Sequence, residues 1–117
     1  MTSKEPKFRS VGKVLTGGTA NTIYTCPPNY IAKMTLLFIS NHAGNNKTVQ
    51  IQWNDISASG TYHIVGGYNL ASNAYLKLDG SYLVLNAGDS IIVTPEAGST
   101  MDSTITVEEF FEPTQRT

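Results

Sequence analysis

Residues 81–94 read Ser-Tyr-Leu-Val-Leu-Asn-Ala-Gly-Asp-Ser-Ile-Ile-Val-Thr. Leu83, Val84 and Leu85 form one short apolar run, and Ile91, Ile92 and Val93 form a second. Between them Asn86-Ala87-Gly88-Asp89 is a polar corner whose Gly-Asp pair supplies the backbone freedom of a tight reversal. Runs this short suit strands and are too brief for helices. The rest of the chain is punctuated in the same way, so the sequence predicts an all-β fold.

Residues 10–16 form a first short strand, ended by Gly17-Gly18. Residues 19–26 alternate loosely and stop at Pro27-Pro28-Asn29, a turn no central strand passes through. Residues 30–40 are the strongest strand, apolar on both faces in their second half. Asn41-His-Ala-Gly-Asn-Asn46 is a turn, and residues 48–53 then alternate with Val49, Ile51 and Trp53 on one face. These two segments are expected to pair as a hairpin. Residues 62–65 form a short strand ended by Gly66-Gly67, residues 68–75 are compatible with a helical turn, and residues 100–111 close the chain. Eight or nine strands at this spacing predict an antiparallel two-sheet β-sandwich, jelly-roll-like. The expected core is Ile31, Met34, Leu36, Phe38, Ile51, Trp53, Leu83, Leu85, Ile92, Ile105 and Val107.

The chain of 117 residues is long enough for one domain with its own core. Charged residues are 15%, below the usual quarter, which suits a surface covered by neighbours. Residues 1–13 carry Lys4, Lys7, Arg9 and Lys13 against Glu5; the rest carries four cations against eight acids. The expected organisation is a basic, extended N-terminal arm over 1–13, a sandwich over 14–113 and a tail over 114–117. Lys4, Lys7, Phe8, Arg9 and Lys13 are the candidate partner-binding residues of the arm. A net charge of −1 gives no nucleic-acid footprint, and no apolar run approaches the ~20 residues of a membrane span. Cys26 is the single cysteine, which excludes an internal disulfide and favours a reducing compartment.

Candidate chemistry is sparse. His42 lies in a Gly/Asn turn, His63 sits beside Tyr62, and Cys26 has no neighbouring base, so neither a nucleophile–base pair nor a zinc set is evident. A cupin-like site needs more histidines than two scattered ones. Asp79 and Asp89 read as caps on turn amides. Glu108 and Glu109 point to opposite faces of a strand and cannot converge as a glycosidase pair; a charged edge strand is the expected reading. Asn46-Lys47-Thr48 fits a glycosylation acceptor, which a cytosolic chain would not use. Tyr62, Tyr68, Tyr75, Tyr82 and Trp53 offer stacking faces for a carbohydrate, although Trp53 shares its face with Val49 and Ile51. The expectation is a non-enzymatic chain with no cofactor and no metal.

Two blocks, residues 22–41 (Thr-Ile-Tyr-Thr-Cys-Pro-Pro-Asn-Tyr-Ile-Ala-Lys-Met-Thr-Leu-Leu-Phe-Ile-Ser-Asn) and residues 82–93, resemble small β-sandwich virion structural proteins of tailed bacteriophages. The resemblance covers residues 19–111 and leaves the basic segment 4–13 outside the shared pattern. It implies a virion protein made in the host cytoplasm: a capsid decoration or cement protein bound to the major capsid protein, or a tail or neck component. A homotrimer without catalytic residues is the form expected. A carbohydrate-binding host-recognition module is the alternative.

Overall fold

The structure is a computed structural model and describes residues 5–80 and 82–112. Nine strands run in chain order: β1 (Lys7–Leu15), β2 (Asn21–Thr25), β3 (Tyr30–Asn41), β4 (Lys47–Asp55), β5 (Gly60–Leu70), β6 (Tyr75–Leu78), β7 (Leu83–Leu85), β8 (Ser90–Pro95) and β9 (Met101–Phe111). The first sheet has the order β1-β9-β3-β6, with β7 also on β3; the second has the order β2-β8-β4-β5. All pairings are antiparallel. Successive strands alternate between the sheets except at the β4–β5 hairpin and at β6 and β7, which is the jelly-roll arrangement. The all-β sandwich read from the sequence is the fold observed.

Five local expectations are corrected. The basic segment is not an extension throughout: residues 7–13 belong to β1, which pairs with β9 from Lys7↔Glu109 to Leu15↔Met101. Its partner lies at the far end of the chain, so local sequence carries no trace of it. Lys4 and the rest of residues 1–4 lie outside the described residues, as does the tail 114–117.

The hairpin expected between residues 30–40 and 48–53 does not form, because β3 and β4 sit in different sheets. The buried Asn41 makes the intervening turn a corner. Its Nδ2 donates to the carbonyls of Leu70 (2.9 Å), Asn45 (3.2 Å) and Ala71 (3.3 Å), and its Oδ1 accepts from the Ala43 amide (2.8 Å).

Gly66-Gly67 does not end β5, which absorbs two register shifts opposite Val49, Ile51 and Gln52 and runs on to Leu70; no helical turn forms over 68–75. The expected charged edge at Glu108-Glu109 is also absent: β9 lies between β1 and β3.

The core shows why a strand's phase cannot be read from apolar content alone. Met34 pairs with Val107 and Leu36 with Thr106, so Thr35 is an extra residue in β3. This bulge moves the inward phase from Ala32 and Met34 to Leu37 and Ile39, both fully buried. Leu36 and Phe38, expected inside, are instead half-buried on the outer face, as is Ile31. Ile91 and Val93, not Ile92, face inward from β8. Met34, Ile51, Leu85, Ile105 and Val107 are buried as expected, while Trp53 and Leu83 pack half-buried against the core.

Candidate interaction surfaces

The outer face of the first sheet is built by the alternation of its strands. In β1, Val11 and Leu15 turn inward beside Ile105 and Met101, which turns Phe8, Ser10, Gly12 and Val14 outward. Phe8 is 71% exposed and Val14 77%. Tyr75 on β6, Val84 on β7 and Tyr82 just before β7 are also exposed, with Leu36, Phe38 and Phe110 half-buried on the strands between the two edges. Phe38 meets Tyr75 edge to face at 5.5 Å. The Lys33 ammonium lies 4.7 Å from the Tyr82 ring centroid, 5.6 Å from that of Phe110 and 3.8 Å from Glu108. The face therefore combines exposed apolar rings with a charge already held among aromatics.

Of the expected arm residues, the structure places Lys7, Phe8, Arg9 and Lys13 on one strand but not on one face. Phe8 points outward. Arg9 turns toward the sandwich opening, where its guanidinium contacts Glu109 at 3.3 Å. Glu109 is buried and also accepts the Tyr24 hydroxyl at 2.5 Å from the opposite sheet. Burial and then this hydrogen bond hold the Tyr24 phenol well above its usual range. Glu108 faces outward to Lys33, so the two glutamates do diverge.

Cys26 is 1% exposed, and its thiol donates to the Tyr30 carbonyl. Burial, with Glu109 and Asp89 nearby, raises it from 9.0 to about 11. Both neutral forms are favoured by folding, so the unfolded chain releases these protons first as pH rises. Stability is expected to be fully present below about pH 9 and to fall by on the order of 2 kcal/mol toward pH 10.5. Urea unfolding at pH 8 and 10.5 reads this loss, and Cys26→Ala should reduce it to the part that Tyr24 contributes; an equal slope in that variant would contradict the assignment.

Asp89 is fully buried and caps two backbone amides, Ile56 through Oδ1 and Asn86 through Oδ2, both at 3.0 Å. The cap read from the sequence is thus present, and it secures a crossing between sheets. Asp79 instead pairs with Lys77 at 3.4 Å.

His42 Nε2 lies 3.1 Å from Asp102 Oδ2 and 3.2 Å from Ser40 Oγ. Both partners meet the same nitrogen, whereas a catalytic relay needs the acid and the nucleophile on opposite ring nitrogens. His63 faces Gln52 at 3.4 Å on the exposed side of the second sheet. Among the described residues no group of three or more His, Cys, Asp or Glu is placed to hold a metal ion, and no helix is long and apolar enough to cross a membrane.

The expected stacking residues are scattered. Trp53 lies against Tyr62 at 5.5 Å and is no open platform. Tyr62 and Tyr68 lie on β5, while Tyr75 lies on β6 and Tyr82 just before β7. Sequence reasoning missed a recess of about 320 Å³ between β5 and the β6–β7 edge. Met34, Ile64, Leu78 and Leu83 line it, with Lys77, Asp79 and Tyr82 completing the wall. The signal available was the absence of any charged residue from residues 60–70.

No protein-family model matches the chain, and no curated protein does. Its fold is similar to a chain from a solved structure described as "Bacillus endospore appendages form a novel family of disulfide-linked pili". That likeness has a TM-score of 0.56 at 13% identity and covers 92% of this chain and 88% of the other.

Proposed function

We propose that this chain is a structural subunit that acts by packing against copies of itself and carries no reaction centre of its own. The observation that carries this reading is the outer face of the first sheet, where Tyr75, Tyr82 and Val84 stand exposed at one edge and Phe8 and Val14 at the other. Large exposed apolar side chains on both edges of one sheet face mark an interaction surface. Lys33, Glu108 and Asp102 lie between the two edges and Lys77 shares β6 with Tyr75, so a second copy meets groups of both signs.

The finer form of the reading follows the resemblance of residues 19–111 to tailed-phage virion proteins. It is a decoration or cement protein seated on the major capsid protein, or a tail or neck component, with a homotrimer as the expected unit. The protein of similar fold is described as part of a family of disulfide-linked pili. In this chain the one cysteine is buried, so packing rather than disulfide linkage is the proposed basis of assembly.

Light scattering across a concentration series tests the reading. The native chain should show masses that are multiples of 12.7 kDa. The pair Tyr75→Ser with Val84→Lys should shift the mass toward the monomer without lowering the unfolding midpoint. A native monomer at every concentration would contradict self-packing, and imaging of purified virus particles would test the virion placement.

Carbohydrate recognition is the second reading, favoured by the exposed Tyr82 ring in the wall of the recess. A glycan array with Tyr82→Ala as the control tests it; a signal unchanged by that variant, or no signal, removes it.

A further inference from the structure

We propose that Phe8 of one copy seats in the recess between β5 and the β6–β7 edge of the next, so that copies join head to tail. This rests on the self-packing reading and gives it a direction. Phe8 projects from β1, one edge of the first sheet, and the recess opens at the opposite edge of that sheet. Three strand spacings, roughly 14 Å, separate the two edges, so the ring cannot reach the recess of its own chain. At about 320 Å³ the recess is at the small end of ligand cavities, which span roughly 300–1,000 Å³, and it suits one aromatic side chain. Met34, Ile64, Leu78 and Leu83 offer that ring apolar walls.

Charge selects this arrangement over a symmetric one. Two β1 edges set against each other would bring Lys7, Arg9 and Lys13 of both copies together. Strand β5 carries no charged residue, and Asp79 stands beside the recess. The cationic strand therefore meets no excess of like charge there.

The glycines of β5 are a separate indication. Gly66 and Gly67 lie two and three residues beyond Ile64, and a Cβ added at either would enter open space. Neither has a left-handed φ. The fold of the chain does not require glycine at these positions, and a smooth strand here lets a neighbouring backbone come close. Because knob and recess are different surfaces, the contact does not close as a symmetric pair. It generates a ring or an open filament.

Phe8→Ser should raise the concentration at which copies associate by roughly 10- to 100-fold, the loss of one buried aromatic ring. Ile64→Trp, which fills the recess, should do the same and carries the test should Phe8→Ser lower the unfolding midpoint. Ile56→Ser, which changes an exposed apolar residue in the loop after β4 and outside both surfaces, should assemble as the native chain does. Phe8→Ser keeps an open recess and Ile64→Trp keeps the knob, so their one-to-one mixture should stop at complexes of two chains. Association of both variants at the native concentration, a mixture that grows beyond pairs, or an equal loss in Ile56→Ser would overturn the proposal. A monomeric native chain would instead defeat the self-packing reading, so the two failures are distinguishable.

Discussion

Leu37→Ala is expected to cost about 3 kcal/mol of folding stability, whereas Leu36→Ala one residue earlier should cost less than about 1 kcal/mol. Leu37 is fully buried opposite Ile105, and truncating it leaves a cavity among side chains that relax only in part. Leu36 lies half-buried on the outer face. The contrast depends on the extra residue Thr35. In a straight strand Met34, Leu36 and Phe38 would share the inward face, and the order of the two effects would reverse. Deleting Thr35 should leave both neighbours on their present faces, because it removes the residue that β9 does not match. Urea unfolding of the three variants measures this directly, and a larger loss for Leu36→Ala would show the register to be wrong.

Asp89→Ala should also lower stability by about 3 kcal/mol, because two backbone amides lose a fully buried charged acceptor in one step. Ile56 and Asn86 donate to its two oxygens, so the carboxylate ties the loop after β4 to the corner between β7 and β8. The backbone of the same corner holds the turn after β2: Cys26 N–H donates to Asp89 O at 2.8 Å, and Gly88 N–H donates to Cys26 O at 2.9 Å. Gly88 has φ of 90°, a conformation that side-chain-bearing residues rarely adopt. Asp89→Asn should recover little, since an amide has one acceptor oxygen for two donors. A loss below about 1 kcal/mol in Asp89→Ala would mean that the corner is held in some other way.

The features legible in the sequence were those fixed by neighbouring residues. Pro27-Pro28 ends β2's extension, and the corner 86–89 turns the chain where Gly88 and Asp89 make it turn. The division of short strands into a two-sheet sandwich followed from their length and punctuation. What was not legible depends on distant partners. The start of β1 looked like a charged arm because its hydrogen-bonding partner, β9, begins more than eighty residues later. The hairpin expected around Asn41-Asn46 became a crossing because Asn41 reaches the carbonyls of Leu70 and Ala71. Glu109 read as surface charge until Tyr24 and Arg9 were brought to it.

The candidate surface divides in the same way. Phe8 and Tyr82 stood out as residue types, but the recess needs β3, β5, β6 and β7 assembled before it exists. The outer face was hidden by the bulge, which sends Leu36 and Phe38 to the side opposite the one their spacing suggests.

The central claim is that the first sheet's outer face is covered by another copy when the protein assembles. Hydroxyl-radical footprinting of the native chain at dilute and assembling concentrations reads this residue by residue. Tyr75 and Val84 should lose reactivity as assembly proceeds, while Ile56, exposed in the loop after β4, should keep it. Unchanged labelling of Tyr75 and Val84 across an observed rise in mass would contradict the account.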